Sequence, residues 1–450
     1  MSRTRIHPLD IVPDLFQLTA RNPAQFPVLL QSSGPEGWDI LLACPQPVAL
    51  SSPDALFTAL DAAWRAEQLP VDPDLAELPF RGGWFVYCGY ELLHEIEPTV
   101  PRFPATPDFP QACLLRVPAA ILHRRDRNQS MLLLEDDAAH LLPQLLAACH
   151  DASPLPQWPP ARVNALNEED PAVYLRNIQR VKQYIHDGDV FQVNLSRRWA
   201  AEVTDSFDPR ALYRQLREVN PAPFSGLACL PDGEGQAWVV SASPERLLRV
   251  SHQAGERRAE TRPIAGTHPR STDPDEDAAL KARLLASRKE RAEHIMLVDL
   301  ERNDLGRVCK PGSVKVDELM AVASYAFVHH IESNVHGNLR DDISPAQAIR
   351  ALFPGGTITG CPKVRTMQIV RELETSPRYA YTGSMGFVNR DGSLDMNILI
   401  RSFMYAPHRA DGALLFRAGG GIVADSDPER ELNETRAKVR GLLRALGIQQ

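Results

Sequence analysis

Short apolar runs separated by glycine-containing turns organise much of the chain. Residues 381–405 read YTGSMGFVNRDGSLDMNILIRSFMY, and residues 413–426 read ALLFRAGGGIVADS. Glycine in such short connections is typical of turns between neighbouring strands. Further strand patterns occur at 26–45, 190–203 and 235–250, with predicted helices between them. Strands that come in runs, rather than alternating singly with helices, favour an α+β fold.

Helical spacing of apolar residues predicts helices over 56–69, 170–190, 287–307 and 427–443. Two of them begin with an aspartate followed by a proline, which suit the N-cap and the first helical position: Asp170–Pro171 and Asp427–Pro428. Residues 151–162 contain four prolines in twelve positions and cannot form regular structure. We therefore predict a linker there and divide the chain into regions 1–165 and 166–450.

Composition excludes several classes of protein. The net charge of −8 argues against a general nucleic-acid binder. Seven scattered cysteines without a C-x-x-C pair indicate reduced thiols, not a disulfide framework or a zinc site. The start lacks the roughly 7–15-residue apolar run of a signal peptide, and no stretch approaches about 18 consecutive apolar residues. We expect a cytoplasmic protein that does not enter a membrane.

Two acidic helices carry candidate metal ligands. Glu431 and Glu434 are three residues apart, and Glu434 and Lys438 are four apart, so all lie on one helix face. Two carboxylates on successive turns can hold a hard cation such as Mg²⁺, although a solvated face with one ion pair has the same spacing. Glu293 lies just before the run IMLVDL, which we expect to be buried, and a carboxylate there needs a partner or a metal.

Glycine-rich loops offer backbone N–H groups to an anion. Residues 353–368 lack the G-K-[ST] ending of a phosphate loop, so a nucleotide site is not supported. The triple glycine 419–421 allows close approach of a ligand, or forms a bend. Gly266 and Thr267, in the stretch TRPIAGTHPR, could cradle an anion with a backbone N–H and a hydroxyl.

Four polar side chains complete the inventory of candidate site residues. Arg401 ends an apolar strand. Its guanidinium either extends to solvent from a buried stem or binds a carboxylate with two hydrogen bonds. Glu245 lies just beyond a strand and is a candidate general acid or base. His330 could donate a proton near neutral pH, although a histidine in a strand can equally be structural. With Lys438 and the acidic helices, these groups suit a small dicarboxylate held against Mg²⁺.

The order of these motifs resembles the chorismate-utilising enzymes, a family that includes anthranilate, aminodeoxychorismate, isochorismate and salicylate synthases. The resemblance covers most of residues 165–450, and the N-terminal part resembles the extra strands of the two amine-transferring members. It rests on seven ordered stretches: SPERLL, RPIAGTHPR, RAEHIMLVDLERNDLGR, FPGGTITGCPKVR, YTGSMGF, DMNILIRSF and AGGGIVADS followed by NETRAK. It implies an N-terminal anthranilate synthase component I-like region, 1–165, and a chorismate-binding catalytic region, 166–450.

The resemblance also implies a fold and a set of roles. The fold is α+β, with two large, mostly antiparallel sheets packed as a sandwich, helices outside and the active site in a cleft. Glu293 and Glu434 would hold Mg²⁺, with Glu431 helping through water, and the metal would grip the ring carboxylate of chorismate. Arg401 and Tyr381 would hold the enolpyruvyl carboxylate. The other expected substrate contacts are Gly266, Thr267, Gly419, Gly420, Gly421 and Lys438.

Small differences between members favour one of them. Isochorismate-type enzymes place a lysine base within or next to the stretch FQVNLS, residues 191–196, and this chain has none there. Ammonia from a glutaminase subunit is then the expected nucleophile. The stretches FQVNLS, NPAPFSG at 220–226 and AGGGIVADS resemble aminodeoxychorismate synthase component I more than anthranilate synthase component I. The expected product is 4-amino-4-deoxychorismate, a precursor of 4-aminobenzoate and folate.

One position favours anthranilate synthase over aminodeoxychorismate synthase. Many aminodeoxychorismate synthases carry a lysine, proposed to attack C2 of chorismate, where this chain has Ala265. Anthranilate synthases have alanine there, and in them the counterpart of His330 assists pyruvate loss. Anthranilate synthase component I is therefore the alternative hypothesis for the function. A non-catalytic chorismate- or effector-binding protein is the third hypothesis. Effector binding would concern a possible tryptophan pocket at Ser32, Pro223, Phe224 and Ser225.

Overall fold

The computed structural model describes residues 3–448 except 105–108, 156, 234, 272, 325–327 and 408–412, and it leaves out the side chains of 267–269, 289 and 328. The strands are β1 Thr4–Pro8, β2 Val28–Gln31, β3 Trp38–Ala43, β4 Gln46–Pro47, β5 Gly83–Cys88, β6 Ala112–Val117, β7 Ala119–Arg124, β8 Gln129–Glu135, β9 Val163–Glu168, β10 Gln192–Val203, β11 Phe224–Asp232, β12 Gly235–Ser243, β13 Arg246–Gln253, β14 Glu256–Thr261, β15 Ile264–Pro269, β16 Lys315–Ser324, β17 Val328–Asn338, β18 Gly360–Cys361, β19 Ser384–Asn389, β20 Leu394–Asn397, β21 Ser402–Tyr405 and β22 Leu414–Ile422. The α-helices are α1 Leu15–Arg21, α2 Leu56–Glu67, α3 Leu93–Ile96, α4 Leu142–Cys149, α5 Pro171–His186, α6 Pro209–Val219, α7 Pro274–Ala286, α8 Arg288–Gly306, α9 Pro345–Leu352, α10 Lys363–Leu373 and α11 Pro428–Ala445.

Two large sheets contain these strands. The first sheet has twelve strands in the order β1-β8-β7-β3-β2-β11-β12-β21-β22-β10-β18, with β9 also paired to β10. The second has ten in the order β15-β17-β14-β13-β20-β19-β5-β6-β4, with β16 also paired to β17. The pairings within both sheets are antiparallel. The prediction of an α+β fold with mostly antiparallel sheets is confirmed.

One buried apolar cluster lies between the sheets. Side chains such as Leu42 and Val239 of the first sheet belong to the same buried cluster as Phe85 and Met385 of the second. Further apolar clusters cover the outer faces, where α1, α4, α6 and α11 pack on the first sheet and α2, α8 and α9 on the second. Because each strand alternates its side chains between two faces, both sheets bury apolar residues on both sides.

The regions before and after residue 165 contribute to the same sheets. β2 pairs with β11 in the first sheet, and β5 pairs with β19 in the second. The proposed boundary at 165 therefore describes a division of the sequence, and the strands on either side of it are joined by ladder hydrogen bonds. Residues 151–162 contain no helix or strand in their described part.

The predicted helix starts are confirmed by their caps. The Asp170 carboxylate accepts a hydrogen bond from the Ala172 N–H at 2.9 Å, and Asp427 accepts one from the Arg430 N–H at 2.9 Å. In each helix proline occupies the first turn, where its missing N–H leaves no internal bond unmade. Within the described residues, none of the helices combines the length and apolarity needed to cross a bilayer.

Two details of the sequence prediction were wrong. Residues 235–250 form two strands, β12 and β13, which belong to different sheets because the chain leaves the first ladder at Pro244–Glu245. Proline has no N–H to continue a ladder. The run IMLVDL is also not wholly buried: Leu297 and Val298 are buried, but Ile295 is 54% exposed. The run is part of α8, and the helical period turns Ile295 away from the core.

A buried ionic cluster joins the helices to the first sheet. Glu374 accepts hydrogen bonds from Arg378 at 2.6 Å and from Arg417 at 2.8 Å, and also from the N–H and hydroxyl of Ser196. Burial opposes ionisation of Glu374, yet the two guanidinium groups hold its pKa below the ordinary value. The carboxylate is therefore a permanent anion that compensates two buried cations.

Replacing Glu374 with glutamine should destabilise the fold by about 3–5 kcal/mol, because two guanidinium groups would lose their buried counter-charge. Urea unfolding monitored by circular dichroism measures this. Glu372→Gln is the matched control: Glu372 lies two residues earlier, in the last turn of α10, is exposed and accepts a hydrogen bond from Tyr184. It should change the free energy of unfolding by less than about 0.5 kcal/mol. Equal effects of the two substitutions would contradict this account.

Candidate active site

Two chain segments cross together from one sheet to the other. β12 pairs with β21 in the first sheet, and their continuations β13 and β20 pair in the second. At the crossing, the N–H of Ile398 donates to the carbonyl of Glu245 at 3.0 Å, and the N–H of Ala242 donates to the carbonyl of Arg401 at 3.1 Å. Arg401 adopts a φ of 52°, which non-glycine residues rarely adopt. The crossing thus brings an acid and a guanidinium that are far apart in the sequence, Glu245 and Arg401, to the same junction between the sheets.

A cleft of about 610 Å³ opens at this crossing. Its lining comes from both sheets, from helices α8 and α11, and from the loop that follows α9. Twelve residues predicted from the sequence line it: Glu245, Ala265, Gly266, Glu293, His330, Tyr381, Arg401, Gly419, Gly421, Glu431, Glu434 and Lys438. Residues far apart in the sequence are therefore brought to one site.

Two predicted residues differ from this group. Gly420 lies between two lining glycines of β22, but its Cα faces α11: a Cβ there would lie 3.2 Å from Oε2 of Glu431 and 3.8 Å from Oε1 of Glu434. The missing side chain lets the helix carboxylates approach the strand closely. Thr267 pairs with His330 between β15 and β17, and its side chain lies outside the described residues.

Glu245 is a buried acid with a raised pKa. Its carboxylate accepts a hydrogen bond from the hydroxyl of Thr357 at 2.7 Å. Burial raises the pKa of Glu245 to about 7, against the lowering effects of the Thr357 hydrogen bond and of Lys438. A carboxyl group with a pKa near neutral pH can both give and take a proton, which suits a general acid or base.

Cationic and donor groups occupy the same cleft. Burial lowers the pKa of Arg401 from its ordinary value, and Glu245 opposes that shift. The Lys438 ammonium donates to the carbonyl of Gly419 at 2.9 Å and pairs with Glu434 at 2.8 Å. Burial raises the pKa of Tyr381 to about 12, so its phenol keeps its proton and can donate. Two cations and a phenol suit a ligand with more than one carboxylate.

His330 is a neutral imidazole at physiological pH. Its Nδ1 lies 3.1 Å from the carbonyl oxygen of Gly266, to which it can only donate. Burial, and then the charge of Arg401, lower the pKa of His330 to about 4. The neighbouring Ala265 brings no reactive group into the cleft. Gly266 adopts a φ of 62°, and a Cβ there would lie 2.8 Å from Leu284, so glycine is required at this turn.

The three predicted metal ligands reach the cleft from two helices. A Cβ at Gly421 would lie 3.3 Å from Oε1 of Glu293 of α8, whereas Glu431 of α11 approaches the opposite face of the strand, at Gly420. Glu431 also accepts a hydrogen bond from Ser426 at 2.7 Å. Among the described residues, no group of three or more histidine, cysteine or acidic side chains is assembled as a metal site. Mg²⁺ typically takes one or two protein carboxylates and completes its shell with ligand oxygens and water. Mg²⁺ binding by these glutamates stays a prediction.

The residues of the predicted tryptophan pocket lie together but do not line the cleft. Ser225 of β11 pairs with Gln31 of β2, next to Ser32. Phe224 lies under the guanidinium of Arg246 at 4.9 Å, and Pro223 directly precedes it. The proximity of these residues follows from the β2–β11 pairing. Tryptophan binding stays a prediction.

Other residues that the sequence reasoning did not select also line the cleft. Among the polar ones are Gln192, Asn194, Glu290 and Thr357. Gln192 and Asn194 stand two residues apart on β10, an alternation of polar side chains visible in FQVNLS. Thr357 stands in FPGGTITG and Glu290 three residues before Glu293, but only the folded chain brings them to the cleft.

The cleft contains a buried acid that can titrate near neutral pH, a neutral histidine and two cationic side chains. These groups are typical of an enzyme that acts on a small molecule with several negative charges. Comparisons with known proteins identify the family: the profile of chorismate binding enzymes matches residues 26–444. Aminodeoxychorismate synthase component 1 of Bacillus subtilis is 47% identical over 273 residues, which is 61% of this chain and 55% of that protein. Anthranilate synthase component 1 1 of Haloarcula marismortui is 38% identical over 456 residues, 96% of this chain and 90% of that protein.

A solved structure agrees with these relatives. The crystal structure of anthranilate synthase component I from Streptococcus pneumoniae TIGR4 is 27% identical, has a TM-score of 0.73, and is matched over 97% of this chain and 91% of that one. This chain belongs to the chorismate-binding enzyme family. It is a chorismate-utilising enzyme, as its motifs predicted.

Glu245→Gln should stabilise the fold as the pH rises. A carboxyl with a raised pKa favours folding while it is protonated, and this advantage is lost between its ordinary pKa of 4.5 and its folded pKa of about 7. Glutamine keeps an acceptor for Thr357 and never ionises. Urea unfolding at pH 5 and pH 8 should show the variant gaining on the wild type by on the order of 2–3 kcal/mol. A pH-independent difference, like that expected for the exposed Glu429→Gln, would contradict the assignment.

Proposed function

We propose that the protein is aminodeoxychorismate synthase component I, which aminates chorismate to 4-amino-4-deoxychorismate for 4-aminobenzoate and folate synthesis. The observation that carries the proposal is the position of two discriminating stretches. FQVNLS contributes to β10 and AGGGIVADS to β22, and these strands pair directly, with Asn194 opposite Gly421. Residues of both line the cleft. The features that resemble aminodeoxychorismate synthase thus meet where the substrate would bind.

Different residues of the cleft would bind the substrate and transfer protons in this reaction. Arg401, Tyr381 and Lys438 would hold the two carboxylates of chorismate. Glu245 would transfer protons, because its pKa of about 7 lets it exchange one at neutral pH. In the overall reaction a C–N bond forms at C4 and the C4–O bond breaks. The proton lost by the nitrogen ends on the departing hydroxyl, which leaves as water.

Glu293 and Glu434 would hold Mg²⁺, with Glu431 acting through water. When bound, the ion supplies positive charge beside the ring carboxylate and assists departure of the C4 hydroxyl. Lys438 would keep Glu434 oriented through their 2.8 Å ion pair. The donor oxygens come from helices α8 and α11, so ion binding would also tie these two helices together.

The ammonia would come from a separate glutaminase subunit. Glutamine hydrolysis of this kind needs an activated cysteine, whose thiolate is favoured by a lowered pKa. Burial raises the pKa of all seven thiols of this chain: Cys44, Cys88, Cys113, Cys149, Cys229, Cys309 and Cys361. None of them has the electrostatic character of a nucleophile, which supports a heterodimer in which this chain receives ammonia.

Ala265 favours the second candidate, anthranilate synthase component I. It lines the cleft where many aminodeoxychorismate synthases have a lysine, and alanine cannot form a covalent adduct at C2. Relatives of both names match this chain, including a Haloferax volcanii anthranilate synthase component 1 that is 45% identical over 273 residues. If 4-amino-4-deoxychorismate is the product, ammonia or another group must act at C2 instead of that lysine.

Product analysis tests the proposal. Wild-type protein incubated with chorismate, Mg²⁺ and ammonium, and coupled to aminodeoxychorismate lyase, should yield mainly 4-aminobenzoate with a detectable leak to anthranilate. Glutamine should replace ammonium only when a glutaminase subunit is added. Ala265→Lys should suppress the leak, because the covalent route becomes available; Ala265→Met adds similar bulk without a nucleophile and is the control. Anthranilate as the main wild-type product would establish the second candidate instead.

Metal removal tests the carboxylate roles. Chelation by EDTA should abolish turnover, and added Mg²⁺ should restore it. Glu434→Ala should lower activity or apparent Mg²⁺ affinity at least about tenfold, as loss of a hard-cation ligand should. Glu429→Ala, an exposed glutamate one and a half turns earlier on α11, should leave both near wild type. Full turnover in EDTA would rule out the metal.

A further inference from the structure

A buried acid of α8 stands outside the proposed mechanism. Glu301 is 3% exposed and is not among the described residues that line the cleft. Glu293 and Leu297, which do line it, precede Glu301 at intervals of four residues, so the three side chains lie along one face of the helix. The Glu301 carboxyl is therefore buried beneath the cleft. A glutamate is almost never fully buried unless it is paired, so its surroundings decide its charge.

A second buried acid competes with Glu301 for the nearby cation. Asp304, one turn later on α8, is also 3% exposed. Its carboxylate accepts a hydrogen bond from the Lys363 ammonium of α10, and the charge of Arg307 also favours its ionised form. Glu301 instead forms a hydrogen bond with the hydroxyl of Thr261. Because the ammonium is bonded to Asp304, Asp304 is the carboxylate of the two, and Glu301 is the one that keeps its proton.

Glu301 and the reacting acid Glu245 influence each other's ionisation. Burial, and then the negative charge of Asp304, raise the pKa of Glu301 to about 8; Lys363 lowers it, and the charge of Glu245 raises it again. The charged groups around Glu301 thus come from its own helix, from α10 and from the crossing between the sheets. Since the pKa of Glu245 is about 7, Glu245 ionises first as the pH rises, and Glu301 follows.

A hydrogen-bonded turn connects Glu301 to Glu245. A Cβ at Gly356 would lie 3.3 Å from Oε1 of Glu301, so this carboxyl packs against the turn that follows α9. The N–H of Thr359 closes the turn by donating to the carbonyl of Gly356 at 3.2 Å. The next residue, Thr357, donates its hydroxyl to Glu245 at 2.7 Å. Adjacent residues of one turn therefore contact the two acids, one on each side.

The charge of Glu301 bears on substrate binding, although its side chain does not touch the substrate. An anion there would add negative charge beneath a cleft whose cations, Arg401 and Lys438, suit a ligand with carboxylates. We propose that Glu301 is a positioning residue: protonated, it supports the turn that holds Thr357 on Glu245, and its ionisation weakens binding of the anionic substrate. The inference rests on the proposed roles of Arg401 and Lys438 in binding chorismate, and it holds for either candidate product.

The pH dependence of chorismate affinity tests this role. The dissociation constant, measured by fluorescence titration without ammonium, should rise from pH 7.5 to pH 9 as Glu301 loses its proton. Glu301→Gln never ionises and keeps hydrogen-bonding groups, so its dissociation constant should match the wild type within about twofold at pH 7.5. Between pH 7.5 and 9, the rise should be about 3- to 10-fold larger in the wild type than in the variant. Ionisation of Glu245 affects both proteins alike and cancels in this ratio.

A matched control lies on the same helix. Asp299 is exposed and pairs with Arg302 at 3.1 Å, so Asp299→Asn should keep the wild-type pH dependence. Glu301→Asp keeps a titrating carboxyl and should retain the larger rise. Thermal unfolding at each pH establishes that the variants are folded, and Glu301→Met, uncharged and of similar length, replaces Glu301→Gln if that variant does not fold.

The outcomes separate this inference from the proposed function. An equal rise in the wild type and in Glu301→Gln overturns the role of Glu301. A loss of affinity in Glu301→Gln that is the same at every pH indicates a purely structural side chain and overturns it as well. A wild-type protein that does not bind chorismate at pH 7.5 contradicts the proposed function itself, and the inference with it.

Discussion

The site depends on two paired chain segments, β12–β13 and β20–β21, which pass together from the first sheet to the second. Ladder hydrogen bonds pair the two segments on both sides of the crossing. Between the two ladders, the backbone carbonyls of Glu245 and Arg401 accept further hydrogen bonds from the opposite segment. On a regular sheet face these two side chains would point toward solvent or into an apolar core. At the crossing they point into a cleft between layers, where burial changes the proton affinity of both. The same feature that joins the sheets therefore creates the reactive environment.

Two buried glutamates show how the chain separates structural from reactive charge. Glu374 contacts the guanidinium groups of Arg378 and Arg417, and its pKa is lowered despite complete burial. Glu245 accepts a hydrogen bond from the Thr357 hydroxyl, and its pKa is raised to about 7. Nearby cations make the first carboxylate a permanent anion, whereas dominant burial lets the second gain or lose a proton at neutral pH. A perturbed acid of the second kind, inside a cleft, is characteristic of a functional group.

Local signals in the sequence predicted local structure well. The caps at Asp170 and Asp427 depend only on a few neighbouring residues, and both helices begin where they were expected. The crossing at Pro244 was not foreseen, because the apolar alternation continues through it and only tertiary pairing assigns its two halves to different sheets. Most of the cleft residues were candidates from the residue pattern itself, and the family resemblance supplied their roles and added Tyr381. Gln192 and Asn194 were used only as markers of relatedness, because their place in the cleft follows from the tertiary pairing of β10 with its neighbours.

The residues that distinguish the two candidate products come from different sheets. Their separation affects how the enzyme could work with alanine at position 265, where many aminodeoxychorismate synthases have lysine. Ala265 belongs to β15 of the second sheet, next to the strand that carries His330. Asn194 and Gly421 belong to the first sheet. A covalent route through residue 265 would act from the second sheet, whereas β10 and β22 line the cleft from the first. Alanine at 265 therefore leaves the polar side chains that the first sheet presents to the cleft unchanged. Under the proposed function, the choice between C2 and C4 depends on how Arg401 and Lys438 hold the substrate against the first sheet.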